Sequence, residues 1–293
     1  MTPPRRVEAA WVGGMPAVFV FLWSTGFIGA KYGLPYAEPA TFLVLRFALV
    51  VALMLPLALA LRASWPATPA QVGHIAVAGM LLHGGYLGGV FTAIHQGMSA
   101  GLAALVVGTQ PILTALAAAP LLGERVTGRQ WVGLGLGFGG VALVLGQRAT
   151  LAGLTGFGAA MIVVALLSIT LGTLYQKRHC GAFDLRTGSV IQFVAAGCVL
   201  GPFALAFEHA PVRWTVEFVG ALAWLVLVLS IGAISLLALL IRRGAATKVA
   251  SLFYLVPPLT AGIAYVLFGE RLGALGIAGF ALAVIGVALV VRA

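Results

Sequence analysis

Few side chains in this sequence are equipped for chemistry, and most of those lie in apolar surroundings. His83 and Tyr86 stand three residues apart, so a helix carries them on one face as a paired imidazole and phenol. Gly84 and Gly85 between them loosen a helix and admit close backbone approach, for packing or for gating. Arg46 lies seven residues into the apolar run that opens at Pro39. A guanidinium there is placed to meet a substrate carboxylate or to snorkel to the surface. Trp23 and Phe27 share a helical face with Ser24 beside them, offering aromatic surface and a hydroxyl. Tyr254, with Ser251 one turn back, is the aromatic candidate of the second half, and Thr170 adds another hydroxyl. Gln110 and Pro111, and later Pro257 and Pro258, interrupt their runs, because proline leaves a carbonyl without its helical partner. This equipment suits binding rather than bond making. Glu8, Glu38, Glu124, Asp184, Glu208, Glu217 and Glu270 all fall near the ends of apolar runs, and the histidines are scattered. No nucleophile–base pair, paired acids or metal-ligating cluster is suggested, so an enzyme, a metal site and a cofactor are not expected.

The elements that must position these groups are apolar helices. The chain has 293 residues, 61% hydrophobic and only 8% charged, with a mean hydropathy of +1.10. Soluble domains carry roughly 25% charged residues. Polar or Pro-rich breaks predict ten spans: 11–31, 41–61, 72–92, 102–122, 126–146, 154–175, 188–207, 219–241, 249–268 and 272–291. Together they leave no room for a soluble catalytic or nucleotide-binding domain. The net charge of +10 punctuates apolar runs instead of covering one solvated face, so nucleic acid is not an expected partner; the lipid bilayer is. With the N-terminus in the cytoplasm, twelve Lys and Arg residues fall on that side. Lys31, Arg148, Arg213 and Arg271 fall on the other, and Arg46 lies within a span. The positive-inside rule then places both termini in the cytoplasm. Cys180 and Cys198 suggest neither a disulfide nor a metal motif.

The chain also repeats itself at a constant offset of 146 residues. The stretch from Pro111 lies over that from Pro257 without a gap, with Leu113, Thr114, Gly123, Glu124, Arg125, Gly133, Gly140, Val141 and Ala142 recurring. Gly26 with Gly172, Lys31 with Lys177, Phe47 with Phe193 and Pro56 with Pro202 keep the same register. Five spans per copy make the second copy enter from the opposite side. The expected architecture is an all-α polytopic membrane protein of ten transmembrane helices in two inverted five-helix repeats, residues 1–147 and 153–293. Inverted halves that rock against one another open a midplane site alternately to each side, which points to a carrier of a small-molecule substrate. His83 and Tyr86 have Leu229 and Gly232 as counterparts, so that pair breaks the symmetry, as a site for an asymmetric substrate does. Gly133, Gly137, Gly269 and Gly273 form small-xxx-small pairs suited to packing helices within a monomer or between two, and the chain is expected to be a monomer or homodimer.

"LWSTGFIGAKYGL" from Leu22, "PATFLVLRFAL" from Pro39, "GLAALVVGTQPILTAL" from Gly101 and the paired "GER" elements at Gly123 and Gly269 resemble the drug/metabolite transporter superfamily. The resemblance is to its ten-helix bacterial branch built from two EamA-type repeats, and it covers essentially the whole chain. It implies an inner-membrane carrier with a central cavity between the halves that exports amino acids or other small metabolites. In length and arrangement the chain is most similar to the aromatic amino acid exporters of that branch. Cationic drugs are the alternative cargo, since they too stack on aromatic rings. The lack of a membrane-embedded acid argues against them.

Overall fold

Backbone surrounded by lipid must satisfy its polar groups locally, and a helix does so within one segment. All regular structure among the described residues is helical. The computed structural model describes residues 4–98, 103, 106–146, 155–243, 246–260, 263 and 274–292, with side chains other than those of 4–13, 27, 144–146 and 246. The helices are α1 (Pro4–Gly33), α2 (Pro39–Ala60), α3 (Pro69–His95), α4 (Gln110–Leu122), α5 (Gly128–Gly146), α6 (Gly156–His179), α7 (Leu185–Phe207), α8 (Val216–Arg243), α9 (Ala246–Ser251) and α10 (Ala274–Arg292). α9 continues through a 3-10 turn, Leu252–Leu255, into residues 256–260. Among the described residues, α2, α3, α6, α7, α8 and α10 are long and apolar enough to cross a membrane by length and composition.

Capping explains why several helices begin before their apolar runs do. Thr68, Thr155 and Thr215 accept from the backbone N–H groups of Gln71, Gly158 and Phe218, and Asp184 from that of Arg186. α3, α7 and α8 therefore start ahead of the expected Val72, Gly188 and Val219. Gly123 closes α4 at φ 70°, a left-handed conformation that glycine adopts without a side-chain clash. The Gly123–Glu124 element is thus a structural corner. Its counterpart at 269–271, with Gly273, lies outside the described residues.

Two helices carry wide turns in mid-course. α3 passes through a π turn at Met80–Gly85, where the Tyr86 N–H reaches back to the Leu81 carbonyl. α8 does the same at Leu225–Ala233, with the Ile234 N–H bonded to the Leu229 carbonyl. Moved by the 146-residue offset, the first segment falls at 226–231, inside the second. Such turns hold one more residue than an α turn and recur at functional sites. The fourth expected span, 102–122, is broken close to the interruption expected at Gln110 and Pro111: the chain turns at Gly108–Thr109 and α4 starts anew at Gln110. Pro111 sits in the first turn of that new helix, where its missing N–H costs nothing, rather than interrupting an older one. Pro257 and Pro258 likewise follow the 3-10 turn of α9.

Helix packing keeps its pattern when each helix is exchanged for its counterpart one offset away. α2 packs on α7 and α5 on α10; α1 packs on α8 as α6 does on α3. Phe47 and Phe193, counterparts on α2 and α7 at the 146-residue offset, touch with ring centroids 5.3 Å apart. Gly133 of α5 approaches the Gly286 carbonyl of α10, and Gly140 approaches Gly279. A Cβ at Gly133 would stand 2.7 Å from that oxygen, so Gly133 permits close backbone contact inside one chain. A Cβ at Gly137 would run into the Tyr254 ring, which uses that glycine too within the monomer.

Candidate functional site

α1, α2, α3 and α8 converge on a central cavity of about 40 Å³. Trp23, Arg46, His83 and Tyr86 line it together with Leu225 and Leu229. Both π turns thus contribute to one wall-to-wall space. The wide turn of α3 delivers His83, and Gly85 within it lies so close to the Ser168 hydroxyl of α6 that a side chain there would collide. Gly84 faces Ala196 at ordinary contact distance.

Arg46 is 3% exposed, and its Nε donates to the Ser230 hydroxyl at 2.8 Å. A charge at this depth costs about 3 kcal/mol on insertion scales, so a cavity-facing guanidinium is a functional candidate by default. His83 is 2% exposed; its Nε2 lies 3.3 Å from Gln192 Oε1, and its ring stacks on Phe193 at 4.4 Å and 11°. With Oε1 as acceptor, Nε2 carries the proton. Nδ1 is then a buried acceptor with no partner.

These two contacts form a related pair. Gln192 is the counterpart of Arg46 at the 146-residue offset. Arg46 of α2 reaches the π turn of α8, and Gln192 of α7 reaches the π turn of α3. Each repeat therefore holds the wide turn of the other through a polar side chain at the same position. Gln192 and Ser230 were not singled out from the sequence, although Phe193, one residue from Gln192, had already marked the register.

Trp23 and Tyr86 lie nearly parallel, 12° apart with centroids at 6.3 Å. Phe253 meets Trp23 edge-on at 5.3 Å, and Phe19 packs behind it at 5.2 Å. On the other side of the Trp23–Tyr86 pair lies a small gap of about 10 Å³, bordered by Gly108 and Pro257 at the breaks of the fourth and ninth segments. The stacked pair is thus a partition between two cavities.

The remaining expected residues lie elsewhere. Tyr254 is fully buried against Gly137, and its hydroxyl has no partner; Phe253 takes the place beside Trp23. A helical tightening explains the exchange, since the 3-10 turn rotates neighbouring side chains away from their α-helical directions. Ser24 ties α1 to the ninth segment, donating to the Val20 carbonyl at 2.7 Å and reaching that of Val256 at 3.3 Å. Thr170 and Ser251 turn back onto their own helices, to the Leu166 and Lys248 carbonyls. Gln110 is buried and donates to Thr114, leaving its Oε1 without a partner. Pro111 and Pro258 do not line the cavity, and the side chain of Phe27 lies outside the described residues.

Acids stand apart from this site among the described residues. Glu208 caps α2, Glu38 accepts from Ala210 N–H, and Asp184 pairs with Arg186 at 2.6 Å. Glu124 follows the α4 corner and Glu217 lies in the first turn of α8. Among the described residues the cavity wall thus holds a guanidinium, an imidazole, a phenol, an indole, a phenyl ring and aliphatic groups, and no carboxylate. That set can receive an anion and an aromatic surface.

Comparison with known proteins bears on the chain as a whole. The EamA-like transporter family matches residues 14–146 and again 156–292. The "Uncharacterized inner membrane transporter YedA" of Escherichia coli (strain K12) is 28% identical, the match covering 93% of this chain and 89% of that protein. The "Probable amino-acid metabolite efflux pump" of the same organism is 26% identical, over 94% and 92% of the two chains. A solved crystal structure shares the fold with a TM-score of 0.77 at 20% identity, covering 97% of this chain and 98% of its own.

Proposed function

Because this chain belongs to the EamA-like transporter family, we propose that it is an inner-membrane carrier exporting small carboxylate-bearing metabolites, neutral and aromatic amino acids foremost. Both termini face the cytoplasm in this reading, and residues 1–147 and 153–293 are inverted five-helix repeats. The observation that carries it is Arg46: a buried cation facing a cavity whose lining, among the described residues, includes aromatic rings and no acid. The guanidinium receives the substrate carboxylate, and the Trp23 and Tyr86 faces receive its side chain. An organic cation would meet Arg46 as a like charge in a low-dielectric space, which disfavours it. The amino-acid efflux named for one relative supports the same class.

In this reading, alternating access works through the contacts that Arg46 and Gln192 make with the opposite repeat. The central space of about 40 Å³ accommodates only a few waters. Loading therefore requires the Arg46–Ser230 and His83–Gln192 contacts to part and the Trp23–Tyr86 partition to swing. Of the described groups lining the cavity, His83 is the one neutral side chain with a ring nitrogen free to take up a proton. Transport is either downhill or coupled through that imidazole.

Efflux from liposomes holding the purified protein tests the proposal against a panel of labelled amino acids and organic cations. Aromatic and neutral amino acids are expected to move and to show counterflow, with Arg46→Gln lowering their kcat/KM by at least about 10-fold, equivalent to about 1.4 kcal/mol. Failure of every amino acid to move would overturn the substrate assignment.

A further inference from the structure

A second cavity, about 190 Å³ and larger than the central one, lies where α6 runs into α7. Gln176, Lys177, Phe183, Ile241 and Arg242 are among its walls. Two of these are cationic and none is acidic. The Arg242 guanidinium lies over the Phe183 ring at 4.2 Å, and its Nη2 donates to the Phe183 carbonyl. Its Nε is buried and has no acceptor. A buried N–H without a partner loses its hydration and gains nothing in exchange, so an oxygen ligand there is favoured. Asp184, the adjacent acid in sequence, is engaged otherwise: it accepts from the Arg186 backbone and pairs with the Arg186 guanidinium.

This cavity is joined to the central one by buried polar groups. Gln176 Oε1 accepts from Gln192 Nε2 at 2.9 Å, and Gln192 Oε1 faces His83 Nε2 at 3.3 Å. Gln176 borders the outer space and His83 the inner one, while all three side chains are at most 5% exposed. A row of amide and imidazole groups thus connects Arg242 at one end with the neighbourhood of Arg46 at the other.

We propose that the Arg242–Phe183 cavity is a second substrate site, a loading vestibule that holds an apolar or aromatic carboxylate before it passes along Gln176, Gln192 and His83 to Arg46. The carboxylate bonds the free Nε edge of Arg242, and Phe183 with Ile241 supplies the apolar wall. The assignment rests on the carrier reading for its direction of use, since it places this end in the cytoplasm.

Binding and flux separate the two readings. Equilibrium binding of labelled 3-phenylpropionate to the full chain in lipid nanodiscs is expected to show two sites. Arg242→Gln removes one and Arg46→Gln removes the other. In proteoliposomes, Arg242→Gln is expected to raise the half-saturating concentration at least 10-fold for loading from the vestibule face, and to leave the opposite face within 2-fold. Phe183→Leu keeps the cation and guards against a folding failure of Arg242→Gln; it should weaken phenylpropionate about 5-fold and acetate not at all. Unchanged stoichiometry in Arg242→Gln, an equal shift at both faces, or equal weakening of both probes by Phe183→Leu would each overturn the vestibule. Two binding sites without any flux would overturn the carrier substrate and leave the vestibule standing.

Discussion

The two ends of the molecule are built from counterpart loops, yet they are fastened differently. At one end, residues 34–38 between α1 and α2 are gripped by the segment between α7 and α8. Glu208 accepts from the Ala40 and Thr41 N–H groups at 2.8 and 2.6 Å and from the Thr41 hydroxyl at 2.7 Å. Glu38 accepts from Ala210 N–H, and Arg213 covers Tyr36 at 5.2 Å while bonding the Tyr36 and Pro35 carbonyls. At the other end, the counterpart of Glu208 is Arg62, which has no acceptor to give. There α7 is capped by its own Asp184, and the link across the seam is the Thr187 hydroxyl on the Ser64 carbonyl at 2.9 Å. The 190 Å³ cavity opens beside that weaker seam. Glu208 and Arg213, which fasten the first seam, have Arg62 and Ala67 as their counterparts at the 146-residue offset, so the two seams are held unequally.

Breaking the strong seam should have the largest effect. Glu208→Ala leaves the α2 N–H groups uncapped and is expected to destabilise the protein by about 2–3 kcal/mol, since hydrogen bonds to charged groups are the stronger class. Thermal unfolding in detergent checks the loss, and the reporter Ala37→Cys, at a buried position of the same loop, should become labelled several-fold faster. Arg213→Ala removes the cation over Tyr36 and one carbonyl bond while keeping the backbone bond; about 1 kcal/mol and a smaller rise in labelling are expected. Arg62→Glu sharpens the comparison by placing an acid where the second seam lacks one. It should slow labelling of a cysteine at position 182 by about 2-fold, with a stability gain of a few tenths of a kcal/mol typical of exposed charges. The smallest effect is that of pH. The hydrogen bond from Arg186 holds the Asp184 carboxyl below the usual carboxylate range. Its contribution is therefore complete above an unfolded-state value of about 4 and fades as pH falls through the lower folded value. A thermal-stability scan from pH 6 to pH 2 should show a shallow decline that Asp184→Asn flattens.

Much of the fold was legible because lipid imposes a simple rule on apolar runs. The runs gave the helices to within a turn wherever a capping Thr or Asp was counted as part of the start, as at Thr68 and Asp184. The central residues Trp23, Arg46, His83 and Tyr86 were legible as polar or aromatic groups out of place. The wide turns were not, because a π turn has no composition of its own; it depends on Gly85 nestling against Ser168 and on contacts from the other repeat. Tyr254 and Phe253 exchanged roles for a related reason, since the local winding of the ninth segment decides which neighbour faces inward. Ser24, Thr170 and Ser251 looked like substrate hydroxyls. A hydroxyl in an apolar helix more readily satisfies itself on a carbonyl one turn back, as Thr170 and Ser251 do.

The π turns of α3 and α8 also fix the phase of everything downstream. Each stores a surplus residue, so removing one residue within Met80–Gly85 would leave a regular α-helix of nearly unaltered length. A deletion from a regular α stretch would swing everything downstream about the helix axis by about 100°; removing the surplus residue here keeps Tyr86, Val90 and Phe91 on the cavity wall and costs only the bulge that presents His83. A deletion there is thus conservative in azimuth, whereas the same deletion one turn later would misdirect the rest of the helix. The chain carries these spare residues as slack, and the tolerance of its long helices to a one-residue deletion should rise at two places one repeat apart.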